Sequence, residues 1–423
     1  MSHHGTVEIK PASDPAYKLP GLLSNLSLPL VGGGLVLVLI SLAIGYFAGD
    51  SGSHDRFFMS NYLVGYIYCW TVVMGCMFFV MIQHLCRAGW SVVVRRVAEL
   101  VMMMVVPLGI LFLPILLFHH DLYIWNSENF AAEHGIIDAI WNPKSSYLSY
   151  GFFAVRAIFY FAVWIGLAWF FFKGSTDQDE TGDKAITDRM QYWSGPAIML
   201  FSLTMSFAAF DWVMSLAPMW FSTMFGVYMF AGGILTAHCA ITAITYLLQE
   251  NGAMEDEVTE EHYHDLAKLI FGFTLFWTYI SFSQYMLIWY ANIPEETEWI
   301  YHRHLGTWGG IGVLLIFLHW MLPFAALMPM YVRRRPTLIC AVAVYILVMH
   351  FLDVVWMIMP EAGLVVDPEI GPRIGIMRIV ALLLCVFGMV ALLGGLIIKL
   401  GEKTKVIAVR DPRLAESIGF ENF

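Results

Sequence analysis

Apolar positions along the chain gather into ten long runs separated by short polar stretches, and each run is long enough to cross a bilayer. The hydrocarbon core is about 30 Å thick and needs roughly 20 helical residues to span it. The runs are Leu30–Ala48, Phe57–Leu85, Val92–Phe118, Tyr150–Phe172, Tyr192–Val213, Phe221–Leu248, Leu266–Ala291, Leu305–Tyr331, Thr337–Met359 and Ile374–Ile398. Lipid offers the backbone no hydrogen-bond partner, so each run must be a helix or part of a closed barrel. Continuous apolar character, rather than alternation with period two, excludes barrel strands. The pattern predicts an all-α, polytopic membrane protein with ten transmembrane helices.

Two segments read alike. Asp211-Trp212-Val213-Met214 is followed by Pro218, and Asp353 with Trp356 and Met357 is followed by Pro360, so that in each an Asp near a span's end precedes a Pro by seven residues. They lie on the fifth and ninth runs. Elements four spans apart share an orientation, which makes a parallel repeat. The expected organisation is two four-helix bundles, 57–213 and 214–359. A first helix with its outer loop (30–56) and an outer loop with the tenth helix (360–398) flank them, and terminal segments cover 1–29 and 399–423.

Composition leaves little room for anything soluble. The 423 residues are 59% hydrophobic and 13% charged, with mean hydropathy +0.68. The longest connection, His119 to Ser149, is too short for a separate catalytic domain. A net charge of −10 is the opposite of the basic stripe of a nucleic-acid binder, so no nucleic-acid partner is expected. Counted by alternate sides, 17 Lys and Arg fall on the side of the termini and five on the other, with Arg156 inside a span. The positive-inside rule then places both termini in the cytoplasm. The first 28 residues carry no cleavable signal pattern, so insertion is expected to use the spans themselves. All six cysteines lie in or at the ends of spans with no CxxC or CxxCH run, as packing residues do. Acidic stretches at Gln249–His264 and Ile293–Trp299 read either as solvated faces or as contact surfaces for a basic partner.

Ionisable groups inside spans cost roughly 3 kcal/mol at mid-bilayer, so they face cavities or one another. Placed by depth they make a ladder: Glu99, Asp265 and Lys268 at the cytoplasmic mouth; His238, His319 and His350 in the middle; Asp353, Asp211 and Arg156 at the outer end. Imidazole titrates nearest neutral pH and buried carboxyls move toward it, so these groups suit a proton path. Hydroxyls of Thr236, Thr242, Thr245, Ser281 and Ser283 would join its rungs. The plainer alternative stays open: buried His bonds a neighbour and does nothing else, and the two Asp cap or pair at the interface. Arg156 requires a counter-charge, for which Asp211 is the natural partner. His319 and His350 would serve one b-type haem at most. Phosphate-binding glycine loops and iron–sulfur or zinc spacings are absent, so no redox cofactor or metal is expected on this chain. Gly32-Gly33-Gly34 reads as a close helix approach.

Three stretches carry a family resemblance: Phe207-Ala208-Ala209-Phe210-Asp211-Trp212-Val213-Met214-Ser215-Leu216 running on to Trp220-Phe221-Ser222-Thr223; Phe282 through Thr297; and the tail Val409-Arg410-Asp411-Pro412-Arg413-Leu414. They resemble the ten-helix subunits of bacterial alternative complex III, related to NrfD or polysulfide-reductase membrane anchors, and among these the smaller F-type subunit. The resemblance covers most of the chain from the second span onward. It implies a quinol:electron-acceptor oxidoreductase of the bacterial cytoplasmic membrane, with cytochrome c or a terminal oxidase as acceptor. It implies partners: a sister ten-helix subunit, an iron–sulfur subunit and c-type cytochrome subunits, which would hold the iron–sulfur clusters and c-type haems. It also implies two four-helix bundles, and proton conduction or a second quinone site for this subunit. Three functional readings follow: a non-redox subunit bracing the complex and carrying a proton path; a quinone- or quinol-binding subunit with a site near Arg156, Asp211 and Asp353; and an independent ion or solute transporter.

Overall fold

The computed structural model describes residues 10–47, 54–127, 130–133, 136, 138–361 and 376–422. The expected outer loop from 362 to 375 with Arg373, most of the first outer loop (48–53) and residues 1–9 lie outside them. The described residues are helical with no strand. Ten of the helices are long and apolar enough to cross a membrane: α1 Ser27–Ile44, α2 Met59–Leu85, α3 Val92–Leu117, α4 Tyr150–Thr181, α5 Lys184–Leu216, α6 Met224–Glu250, α7 Glu260–Ala291, α8 Gly306–Leu327, α9 Pro336–Glu361 and α10 Ile376–Gly401. Several outrun the apolar runs that announce them. Helix α4 continues more than two turns past Phe172 and stops where Gly182 takes φ +69°, and α5 restarts at once, with Asp183 capping the amide of Ala185. Hydropathy marks only the stretch that meets lipid, whereas caps decide where a helix ends.

Helices α2 and α6 form the centre. In their most apolar windows 83% and 78% of residues are buried, and no other span exceeds 50%. They cross at a pair of glycines. A Cβ on Gly75 would lie 2.1 Å from the carbonyl oxygen of Gly233, and one on Gly233 would lie 2.8 Å from that of Thr71. Only missing side chains let two backbones come this close, the packing that lipid-embedded helices favour. Around this axis, α2 packs on α3 and α5, α4 on α3 and α5, α6 on α7 and α9, and α8 on α7 and α9. Helices α1 and α10 make a tight pair that also packs on α2. Ser27 faces Gly395, Gly34 faces Gly388, and Ser41 Oγ donates to the carbonyl of Ala381 at 2.6 Å. Small residues seven apart on each helix line this seam, so of the three consecutive glycines it is Gly34 that makes the close approach.

Two spans are broken, for one chemical reason. Pro107 and Pro114 cannot donate to the preceding turn, and α3 divides into Val92–Met102, Val105–Leu111 and Leu113–Leu117. Tyr62 of α2 donates to the carbonyl of Leu111 at the second break, at 2.7 Å. In α8, Pro323 leaves the carbonyl of His319 without its usual donor, and Leu315–Met321 winds as a π-helix. Tyr345 of α9 donates to the carbonyl of Leu318 within that turn at 2.8 Å.

The terminal segments close the face on which both ends lie. Val406 N–H donates to Tyr17 O at 2.9 Å and Met254 N–H to Ala16 O at 3.2 Å. Lys10 lies 2.7 Å from Asp256 and 3.0 Å from Glu257. Its bonds to Asp256 and then Glu257 hold its ammonium above the usual lysine range. Glu261 pairs with Arg334 at 3.0 Å. Three acids of the 249–264 connection, Asp256, Glu257 and Glu261, are thus paired within the chain.

Candidate functional site

The ladder residues fall into three groups with different chemistry. Near the terminal face, Glu99 is fully buried between two arginines of its own helix, with Arg95 Nε at 3.2 Å and Arg96 Nε at 2.9 Å. Arg95 also binds Asp411 of the tail at 2.7 Å, and Arg96 binds Asp179 of α4 at 2.7 Å and Ser175 Oγ at 3.0 Å. Asp411 belongs to one of the stretches that carry the family resemblance, and here it fastens the tail to α3. Ser417 extends the fastening: its hydroxyl donates to Trp90 O at 2.6 Å, and its carbonyl meets His262 Nε2 at 3.0 Å. Asp265 and Lys268 pair at 2.7 Å, with Lys268 also on Asn422 at 2.7 Å.

At the far end of the first half, Arg156 and Asp211 meet. Nε donates to Oδ2 at 2.7 Å and Nη2 to Oδ1 at 3.0 Å, the two-pronged geometry that suits guanidinium and carboxylate. Nη1 donates to Tyr147 O at 2.8 Å, and the guanidinium lies over the rings of Tyr147 and Phe152. Tyr160 adds a bond to Asp211 Oδ2 at 2.8 Å. Both carboxylate oxygens are engaged and the charges are paired.

Asp353 occupies the corresponding place on α9 and is built differently. It is 1% exposed, and among the described residues no Lys or Arg contacts it. Tyr228 of α6 donates to Oδ1, Trp277 Nε1 of α7 donates to Oδ2 at 3.2 Å, and His350 Nδ1 lies 3.7 Å from Oδ2. The other ring nitrogen, Nε2, is 3.0 Å from Thr71 Oγ1 of α2, whose hydroxyl lies 2.9 Å from Tyr68 O. If Thr71 gives its proton to Tyr68, then Nε2–H must donate to Thr71, which leaves the lone pair of Nδ1 facing the carboxyl; this tautomer is assigned from the bonding pattern. Gly232 leaves room for the ring, since a Cβ there would come within 2.8 Å of His350 Cε1. His319, in the π-turn, packs its ring 4.0 Å from that of Trp277 and 6.4 Å from that of His350. It is fully buried, and among the described residues neither of its nitrogens has a hydrogen-bond partner. Single-turn π segments recur at functional positions.

Chemically, this centre can hold one proton in two places, on the Asp353 carboxyl or on His350 Nδ1, with Tyr228 able to turn its hydroxyl. His238 stands apart from it, bonded through Nδ1 to the carbonyl of Ile234 at 2.7 Å and packed between Phe79 and Phe273. The hydroxyls expected to join the rungs are differently engaged. Thr236, Thr242 and Ser281 donate to carbonyls of their own helices, and Thr245 Oγ1 has no partner among the described residues.

Sequence reasoning missed Tyr228, Trp277 and Thr71, which complete the Asp353 centre, and Tyr160, Arg95, Arg96, Asp179 and Asp411, which complete the other two. It also passed over Arg303. That residue is buried, donates to Glu361 at 2.8 Å and to Met357 O at 2.7 Å, and fastens the α7–α8 connection to the end of α9. No group of three or more His, Cys, Asp or Glu among the described residues is placed to hold a metal ion. No protein-family model matches the chain, and no curated protein sequence matches it.

Proposed function

We propose that the chain is a membrane subunit of a bacterial respiratory quinol:electron-acceptor oxidoreductase of the alternative complex III type, with no redox centre of its own, and that it braces the complex and carries part of a proton path. The Asp353 centre carries this reading: a buried carboxyl without a cation, bonded to a tyrosine and an indole, beside an imidazole whose free nitrogen faces it. Groups so arranged can take up and release a proton, as general acid–base chemistry requires. Arg156–Asp211 and Glu99 with its arginines are assigned to bracing, because these carboxylates are already held by guanidinium groups.

Helix α2 packs on α3 and α5 and helix α6 on α7 and α9, which supports the two-bundle organisation, with α2 and α6 joining the two sets and also meeting α9 and α5 across the seam. The basic excess on the face of the termini supports their cytoplasmic placement. The electrons would pass through partner chains holding iron–sulfur clusters and c-type haems. A quinone site would have to use Asp353 rather than Asp211, which is clamped by the Arg156 guanidinium. The breaks in α3 and α8 do not fall four spans apart, unlike the matched broken helices of many transporters.

The test is Asp353→Asn in the native complex, extracted in mild detergent and returned to liposomes. The expected result is unchanged co-purification of the iron–sulfur and cytochrome chains with fewer protons moved per electron. An unaltered stoichiometry removes Asp353 from the path. Purification of the chain free of all such partners removes the subunit reading itself.

A further inference from the structure

A cleft of about 660 Å³ opens on the face of the termini, where the segment before α1, the last turns of α4 and the residues after α10 converge. Lys18, Lys403 and Lys405 line it, and none has an acidic partner among the described residues. Arg96 also lines it. This side chain is fully buried, gives Nη2 to Asp179 and sets Nε 2.9 Å from Glu99, and neither Nε nor Nη1 has a hydrogen-bond partner among the described residues. A buried cationic donor left unmade is costly, which points to a ligand that completes it. Of the acids in the wall, Asp179 is taken by Arg96 and Glu402 by Lys399, Ser24 and Ser27, so only the Glu180 carboxylate opposes three free ammonium groups.

We infer that this cleft binds the phosphate-bearing headgroup of an anionic phospholipid. Its place argues for lipid as the source of the phosphate. Ser24 lies just before α1, Glu402 to Lys405 follow α10 directly, and Thr176 to Glu180 belong to the turns by which α4 projects beyond its apolar run, so the cleft stands at headgroup depth. Leu22 and Leu28, on either side of Ser24 in sequence, are 68% and 70% exposed and suit acyl chains. Basic pockets between spans on the cytoplasmic side recognise anionic headgroups in this way.

The test uses the full-length chain in the assembly that mild detergent extracts, stripped of lipid, with its thermal midpoint followed against added phosphatidylglycerol, phosphatidylcholine or inorganic phosphate. Phosphatidylglycerol is expected to raise the midpoint saturably and phosphatidylcholine is not. Lys18→Gln/Lys403→Gln/Lys405→Gln is expected to keep the lipid-free midpoint and to need about a hundredfold more phosphatidylglycerol, at roughly fivefold per lysine. Arg87→Gln/Lys184→Gln/Arg189→Gln, an equal charge change on exposed positions outside the cleft, is expected to behave as wild type. The inference is overturned if phosphatidylcholine matches phosphatidylglycerol, or if the two triple variants behave alike. It is also overturned if inorganic phosphate gives the whole effect with the same lysine dependence, which would make the cleft a site for soluble phosphate.

Discussion

Removing either member of the Arg156–Asp211 pair isolates one charge in a buried setting, and the size of the penalty follows from the geometry. Asp211→Asn keeps the shape of the side chain and removes its charge. The guanidinium then has only Tyr147 O and two aromatic faces to receive it. Arg156→Met keeps much of the volume and leaves Asp211 with Tyr160. Breaking a buried pair by removing one partner costs about 3–5 kcal/mol, whereas replacing both partners by apolar or neutral groups is often close to neutral. At roughly 2 °C per kcal/mol for a chain of this size, each single variant should unfold about 6–10 °C lower. The double variant Arg156→Met/Asp211→Asn should regain at least about half of the summed loss. Detergent unfolding of a polytopic chain is commonly irreversible, so all four proteins are compared by thermal midpoint at one fixed heating rate. Losses that add to within about 0.5 kcal/mol in the double variant would refute the reasoning, since contacting residues must couple. Additivity would mean that the two charges are solvated separately and that the pair braces nothing.

Gly75→Ala is expected to lower the midpoint well beyond Gly32→Ala, because its Cβ meets the Gly233 carbonyl at 2.1 Å while that of Gly32 meets nothing within 4 Å; equal midpoints would contradict the close crossing of α2 and α6. Asp411→Asn frees Arg95 and should speed proteolytic cleavage after residue 401 by about tenfold, read from the rate at which the intact chain disappears on gels; an unchanged rate would mean that the tail is held by its other contacts alone. Tyr228→Phe removes the hydroxyl on Asp353 and should lower proton-coupled turnover several-fold with assembly intact. Tyr160→Phe, at the paired Asp211, should cost only about 1 kcal/mol of stability and leave turnover alone. Equal effects on turnover would erase the distinction between the two aspartates.

What could be read from the chain follows from how strongly each residue type constrains its surroundings. Apolar runs must cross lipid as helices, so the ten spans were legible, but their projecting ends were not, because Gly182 and Asp183 act through local backbone geometry rather than hydropathy. Arg156 demanded a counter-charge and the nearest acid in depth, Asp211, supplied it. Tyr160, Tyr228, Trp277 and Thr71 gave no such signal, since aromatic and hydroxyl side chains are abundant in these spans and only packing selects which of them meets a carboxyl. Glu99 stood out as an acid near a span's end, yet its arginines and the tail Asp411 are brought together by chain closure across more than 300 residues. Pro323 was visible in the sequence, whereas the π-turn it provokes and the exposure of Leu318 O to Tyr345 depend on a neighbouring helix.

The two aspartates of the matching Asp-to-Pro segments are held in different ways. Each sits near the far end of its helix, yet Asp211 is clamped by a guanidinium and Asp353 is met by a phenol, an indole and an imidazole at greater distance. An arginine is present near Asp353's end of α9 as well, but Arg303 is engaged by Glu361 and the carbonyl of Met357, not by Asp353. Moving the cation off the acid preserves the anchoring of the helix end and leaves the carboxyl bonded only to groups that carry no fixed positive charge. A carboxyl and an imidazole side by side can exchange a proton with one another without a change in net charge. On the proposed reading, the first half can therefore be rigid and the second responsive.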